Sequence, residues 1–368
     1  MKPPSAGSID VHLTNVTGTG ATQLLKSLLP ALFACNKIHI SKIFLPATGF
    51  LSHLSFISKA TVSNKYKRYL PRVVSRFLEC TIFSYKFDDS KPILVLGDLP
   101  LRVRTRQILF VQTSHLISSS SLSWHPNSLK YAIARFIFRL NLNKVSAFIV
   151  QTAVMKAGLV DSYPSIKNKV HVVRHPVPRW LLEADLSEYI HQPLHDRGLR
   201  LFYPAAQYPH KNHNLLSKID LSKLIDWPVE SIILTIDDAN NPAIQLPWVH
   251  CVGILNSAEM IEIYRRTDGL LFLSKQESLG FPLLEAMYLG IPIVCPDLAY
   301  ARLLCGDQAI YFDPDSIESL QAAVVLSKER LLNNWRPDWT VQLREIPKNW
   351  DEVANKVVDI TLNSIDLG

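Results

Sequence analysis

The sequence predicts an α/β protein of two domains, each a parallel sheet covered by helices. Short apolar runs of strand length alternate with helical patterns along the whole chain, an arrangement that gives parallel sheets with helices on their faces. At 368 residues the chain is long for one core and comfortable for two, and its 48% hydrophobic content can fill both. Pro176 and Pro178 punctuate the middle as a linker would.

The elements follow in order. A first domain is expected over residues 1–180, with strands near 9–13, 38–45, 92–96, 108–112, 147–151 and 170–174. Gly97-Asp98 closes the third of these in a turn. A second domain is expected over 198–345, with strands near 200–205, 231–236, 249–252, 269–273, 291–295 and 309–312. Residues 346–368 form a terminal segment whose helix starts at Trp350. In open parallel sheets ligands bind beyond the carboxyl ends of the strands, so the chemistry is sought there.

The most informative such place is Glu277-Ser278-Leu279-Gly280-Phe281-Pro282-Leu283-Leu284-Glu285. A strand-like run, Leu270–Ser274, comes before it, and Gly290 and Pro292 mark the end of a helix after it. Pro282 suits the first helical turn, where no backbone N–H is needed. The unit is therefore a strand, a glycine turn and a helix N-terminus, where main-chain amides and the helix dipole favour an anion such as diphosphate. A carboxylate beside that anion repels phosphate and accepts hydrogen bonds from hydroxyls. The ligand that suits both is phosphate at one end and polyhydroxyl at the other, a nucleotide sugar.

The longer run Ser274-Lys275-Gln276-Glu277-Ser278-Leu279-Gly280-Phe281-Pro282-Leu283-Leu284-Glu285-Ala286-Met287-Tyr288-Leu289-Gly290-Ile291-Pro292, continued by Pro296-Asp297, Gly306-Asp307 and Phe312-Asp313-Pro314, resembles the donor-site region of the retaining glycosyltransferases of family four, which carry a Glu-x7-Glu motif. That resemblance implies the GT-B fold: two Rossmann-like parallel-sheet domains facing a cleft, with a C-terminal helix crossing back to the first. It implies transfer from a GDP- or UDP-linked sugar to a glycan or lipid-linked acceptor, as in the synthesis of bacterial surface polysaccharide. It implies no metal and no cofactor.

Site residues carried over by the resemblance are as follows. Glu277 is the catalytic carboxylate at the donor sugar, and Glu285 holds the ribose hydroxyls. Ser278, Leu279, Gly280 and Phe281 surround the diphosphate. Lys211, which follows the apolar run Leu201–Ala205, takes the place of the family's phosphate-binding lysine. The arginine most members carry about five residues earlier is missing here, where the chain reads Ala205-Ala206; His210 and Lys275 are candidates to supplement the charge. Gly253 and Ile254 border the base. Gly18 and Gly20 resemble the first-domain glycine loop, where absence of a Cβ lets the backbone come close. His115, at the end of the run Ile108–Ser114, is the candidate on the acceptor side. Retention through a carboxylate nucleophile needs two carboxyl groups about 5–5.5 Å apart. Eight helical residues would span about 12 Å, so Glu277 and Glu285 fit a front-face substitution better, with the leaving phosphate taking the acceptor's proton.

Charge divides the chain. Residues 1–190 carry 24 Lys/Arg against 9 Asp/Glu, and residues 191–368 carry 15 against 23. Such asymmetry suggests that the first half faces an anionic surface. The segment Lys59–Arg76 interleaves basic with apolar and aromatic residues, and from Pro71 onward Val73, Val74, Phe77 and Leu78 share one helical face. Two readings stay open: a contact with an anionic membrane surface, or a basic helix whose apolar side packs into its own domain. No zinc-finger spacing, RNA-binding motif or helix-turn-helix is present, which argues against nucleic acid. Five scattered cysteines without a Cys-x-x-Cys pair, no apolar run of spanning length and no secretory h-region point to a cytoplasmic protein, peripheral on the membrane if the first reading holds. Two other functions share the scaffold: a catalytically silent nucleotide-sugar-binding protein, which the missing arginine favours, and a sugar phosphorylase or epimerase.

Overall fold

A computed structural model of the chain describes all residues except 1–6, 17, 58–60, 88–90, 118–125, 188, 190–192, 195–196, 224–226 and 367–368, with backbone alone for 72, 83, 126–128, 223 and 365–366. The chain divides into two units, Met1–His175 together with Pro347–Gly368, and Pro176–Ile346.

The first unit is built on seven strands: β1 (Gly7–His12), β2 (Ile38–Pro46), β3 (Val62–Tyr66), β4 (Ile93–Val95), β5 (Gln107–Phe110), β6 (Val145–Val150) and β7 (Val170–Val172). Their order in the sheet is β3-β2-β1-β4-β5-β6-β7, every pairing parallel. Val11, Leu94, Leu109 and Ile149 are fully buried, as strands covered on both faces require. Helices α1 (Thr19–Ala34), α2 (Arg72–Thr81), α3 (Pro126–Leu140) and α4 (Ala153–Ser162) connect them. Strand β3 was not foreseen. Its sequence, Val-Ser-Asn-Lys-Tyr, is exposed up to its last residue, because an edge strand shows only one partner and needs no apolar alternation.

The second unit repeats the plan with β8 (Leu199–Tyr203), β9 (Val229–Leu234), β10 (Val249–Cys251), β11 (Gly269–Leu271), β12 (Ile293–Pro296) and β13 (Ile310–Phe312). The order is β10-β9-β8-β11-β12-β13, again all parallel. Relative to the chain this is the doubly wound order, and the switch point where ligands collect lies between β8 and β11. The helices are α5 (Arg179–Leu182), α6 (Ser257–Arg266), α7 (Phe281–Tyr288), α8 (Ala299–Cys305), α9 (Ile317–Leu332) and α10 (Thr340–Arg344). Helix α6 opens on a full capping box, Asn256 with Glu259. Val177, Leu181 and Leu194 lie in this unit's core.

The chain ends in α11 (Trp350–Asp366), which packs on α1 and β6 of the first unit. Val353 and Val357 are fully buried there, and Trp350 stacks on His175 at 5.3 Å. Among the described residues no helix is long and apolar enough to cross a membrane.

Candidate functional site

Two neighbouring loops of the second unit form the site, one after β8 and one after β11. The first turns through Pro209–Lys211 to Asn212, which sits in the left-handed region at φ 56°. Asparagine tolerates that backbone, and its side-chain amide donates to Pro314 O at 3.0 Å. The Tyr203 hydroxyl, at the end of β8, donates to Lys211 O at 2.7 Å. The lysine is therefore held at both its own carbonyl and its following residue.

The second loop is tied to the first through one carbonyl. His210 O accepts from Lys275 N at 2.7 Å and from Ser274 Oγ at 3.3 Å, and the Tyr300 hydroxyl donates to Ser274 O. These bonds bring Lys211 Nζ to 2.5 Å from Glu277 Oε1, with both side chains largely buried. Burial, then the charge of Glu277, push the Tyr203 and Tyr300 hydroxyls well above their ordinary range, so both remain neutral donors.

Gly280 caps α7 at φ 84°, a backbone that a side chain resists. A Cβ there would lie 3.2 Å from Leu283 Cδ1 and 3.8 Å from Glu277 Cγ. Leu283 N–H donates back to Gly280 O at 2.9 Å, and Pro282 carries no N–H. One turn into α7, Glu285 is buried. Its Oε2 accepts from the Tyr264 hydroxyl of α6 at 2.7 Å. Burial raises its carboxyl from the ordinary range to about 7, against the lowering effect of that hydrogen bond.

Gly253 follows β10 at φ 71°, with Asp237 Oδ1 3.6 Å from where its Cβ would be, and Ile254 beyond it is almost fully exposed. Both belong to the same unit as Lys211, Glu277 and Glu285. Lys275 pairs with Asp315, and the His210 ring stacks on Tyr208 at 5.6 Å.

The remaining candidates lie in the first unit. Gly18 is the N-cap residue of α1 and Gly20 sits in its first turn, each with open space where a Cβ would go. His115 lies in a short 3₁₀ turn after β5, its ring stacked on Tyr131 at 4.0 Å. Burial, then Lys130 and Arg135, lower it to about 4, so it is neutral at neutral pH. Asp98, itself left-handed at φ 67°, fixes the approach to that turn: its Oδ1 accepts from Gln112 N at 2.5 Å and Thr113 N at 3.0 Å. The polyserine stretch 118–121 and Lys59 lie outside the described residues. Among the described residues no group of three or more His, Cys, Asp or Glu side chains is arranged to hold a metal ion.

Sequence reasoning missed Tyr264 and Asp98. Tyr264 is 21 residues from Glu285 on another helix, and no local motif joins them. Asp98 was visible as a turn former only.

Residues 246–337, which hold β11, the glycine turn and α7, match the family described as Glycosyl transferases group 1. O-antigen chain mannosyltransferase B of Escherichia coli is 26% identical over 89 residues, 24% of this chain and 23% of that one. O-antigen chain mannosyltransferase RfbU of Salmonella typhimurium is 20% identical over 327 residues, 84% of this chain and 87% of that one. Among solved structures, sucrose-phosphate synthase from Thermosynechococcus elongatus aligns with a TM-score of 0.65 at 12% identity, covering 97% of this chain and 98% of that one. Two parallel Rossmann-like sheets and a terminal helix returned to the first unit make this the GT-B fold, and residues 246–337 of the second unit are similar to a group 1 glycosyl transferase domain.

Proposed function

We propose that this protein is a retaining, metal-independent glycosyltransferase that moves a sugar from a GDP- or UDP-linked donor to a glycan or lipid-linked acceptor in surface polysaccharide synthesis. The observation that carries this reading is the pairing of Lys211 with Glu277 beside the Gly280 turn, at the β8/β11 switch point. A cation for the diphosphate and a carboxylate for the sugar stand together there. The two curated relatives are O-antigen mannosyltransferases by name, which makes a mannosyl donor the first to test.

In this mechanism Lys211 and the amides of Ser278, Leu279, Gly280 and Phe281 take the negative charge that grows on the leaving diphosphate. Stabilising developing charge with preset donors is the largest catalytic effect available to such a site. Glu277 accepts hydrogen bonds from the donor sugar and steadies positive charge at the ring. Glu285 accepts from the ribose, and Gly253 and Ile254 border the base. By the family resemblance, His115, neutral, serves the acceptor, and Gly18 and Gly20 belong to the glycine loop that such enzymes turn toward the donor. The acceptor hydroxyl attacks from the face the diphosphate leaves, and a phosphate oxygen takes its proton. The protein works on the cytoplasmic side, at an anionic membrane surface met through the first unit.

Calorimetry with GDP and UDP, followed by transfer assays and NMR of the product's anomeric configuration, tests the reading. Nucleotide binding that Glu285→Ala leaves untouched, or an inverted product, would overturn it. One observation favours a second reading, a silent nucleotide-sugar binder: Ala205-Ala206 stand where the arginine belongs and Lys275 is engaged by Asp315. Donor binding without hydrolysis or transfer would select it.

A further inference from the structure

Helix α2 does not bury the apolar face that its spacing creates. Val73, Val74 and Phe77 are exposed, together with Tyr69 and Leu70 just before the helix and Ile82 and Tyr85 just after it. Helix α3 lies against α2 and exposes Leu129, Phe136 and Leu140. Between the two helices runs a groove of about 370 Å3 lined by Val73, Val74, Phe77, Ala132, Ile133 and Phe136. Scattered apolar residues on a surface need no explanation, but a continuous patch does.

The charge around the patch is one-sided. Residues 61–87 and 126–144 hold ten Lys/Arg and a single acid, Glu79. Glu79 is buried and paired with Arg68 at 2.7 Å, so the exposed charge is basic. The basic residues also divide in role. Arg68 bonds inward to Glu79 and Asn15, and Arg76 donates to Asn15 O. Lys65, Lys67, Lys86, Lys130 and Arg139 are exposed. Two adjoining helices thus present aromatic and aliphatic side chains set in a basic rim.

We propose that the paired faces of α2 and α3 form a membrane-docking surface that seats Val73, Val74, Phe77 and Phe136 in the headgroup region of an anionic bilayer, with the rim lysines on the lipid phosphates. An amphipathic element binds in the interface plane through buried apolar area plus attraction to anionic lipid. Both parts are present, on two helices rather than on the single segment that the charge pattern of 59–76 marks. This deepens the membrane part of the proposed function and rests on it, while being independent of the donor chemistry.

The test is co-sedimentation of the full chain with vesicles of phosphatidylethanolamine and phosphatidylglycerol, and with phosphatidylcholine alone. The wild type is expected to partition at least about tenfold better onto the anionic vesicles, and the triple variant Val73→Ser, Phe77→Ser, Phe136→Ser to lose at least about tenfold of that at an unchanged melting temperature. Lys67→Gln with Lys130→Gln should lower binding and make what remains less sensitive to salt. The proposal is overturned if the wild type stays in the supernatant with anionic vesicles, or if the triple variant pellets like the wild type. It is equally overturned if, without vesicles, the wild type sediments as a dimer that the triple variant abolishes, because the face then belongs to a second copy. None of these outcomes touches nucleotide calorimetry, so a failed membrane surface is told apart from a failed donor site.

Discussion

The Tyr264 hydroxyl donates to Glu285 Oε2 at 2.7 Å, and neither residue reaches appreciable solvent. Burial and the neighbouring Glu285 push the Tyr264 phenol well above its ordinary range, so it is a fixed donor at every working pH. One carboxylate oxygen is thereby occupied and the rotamer is set; in the proposed function the other oxygen accepts from the ribose. Tyr264→Phe removes the donor and keeps the ring against Phe202, which it meets edge-on at 5.0 Å. A hydrogen bond to a charged group contributes about 1.5–3 kcal/mol, so nucleotide Kd should rise roughly tenfold or more. Turnover at saturating donor should change little. A purely structural role would lower the melting temperature and leave Kd alone. Because the bond lowers the Glu285 pKa, its loss should also move the acid limb of nucleotide binding to higher pH.

The same carboxyl predicts a pH dependence of stability. Its folded pKa, about 7, lies above the ordinary 4.5. Between those values the folded protein binds the extra proton, so stability falls as pH rises through the window and the full penalty remains above pH 7. Glu285→Gln removes the penalty, which is at most about 3 kcal/mol. The variant should melt higher than the wild type at pH 8 and equally at pH 4, while losing nucleotide affinity. Calorimetric melts at the two pH values decide it; an equal shift at both would mean that the carboxyl is ionised across the range.

How much of this was legible in the sequence depends on how local each feature is. The β11–turn–α7 unit was readable because strand, glycine, proline and both glutamates lie within one short run. Lys211 was readable as the residue after a buried strand. The sheet order, which sets β8 beside β11 and so Lys211 beside Glu277, is a long-range outcome that no spacing states. Strand β3 escaped because its polar edge carries no apolar period. The inward turn of Arg68 and Arg76 escaped because their partners, Glu79 and Asn15, are set by packing. The helical period of α2 was correct, yet period alone does not say whether a face meets its own core or something outside it.

Lys211 and Glu277 should behave as a unit. Removing either leaves the other charge largely buried without its partner, which costs more than the pair itself contributes. Lys211→Met is expected to lower kcat/KM by about a hundredfold or more through lost stabilisation of the leaving diphosphate. Glu277→Gln should act chiefly on kcat. Combined, the two losses should fall well short of additive, as for residues with a shared partner. A double-mutant cycle on transfer rates measures this, and strict additivity would mean that the two side chains act on separate ligands.

Gly280→Ala tests the turn without touching a charge. Its φ of 84° and the 3.2 Å approach to Leu283 Cδ1 make a side chain costly. A left-handed non-glycine residue costs roughly 1–2 kcal/mol, which should appear as a lower melting temperature. Any shift of the turn that relieves the contact with Leu283 would also move the segment next to Glu277, so donor binding should weaken by more than stability alone explains. Gly20→Ala, with open space around it, serves as the comparison for fold stability and should be neutral or slightly stabilising in its helical turn.

His115 and Glu285 make opposite predictions about the pH–rate profile, and together they separate the acceptor from the donor side. Burial first, then Lys130 and Arg135, lower His115 to about 4. Its loss of a proton is therefore complete well below neutrality, and it adds no step between pH 6 and 8. Glu285 at about 7 does titrate there, and as the neutral acid it accepts poorly from ribose hydroxyls. The profile of kcat/KM should consequently fall on the acid side with a limb near pH 7. His115→Ala should lower the plateau by about a hundredfold or more, the range for one positioned proton donor or acceptor, while keeping the limb where it is. Glu285→Gln should flatten the limb and raise KM. If His115→Ala instead removes the limb, the histidine is the titrating group, and its ring must be less enclosed in solution than its stacking on Tyr131 implies.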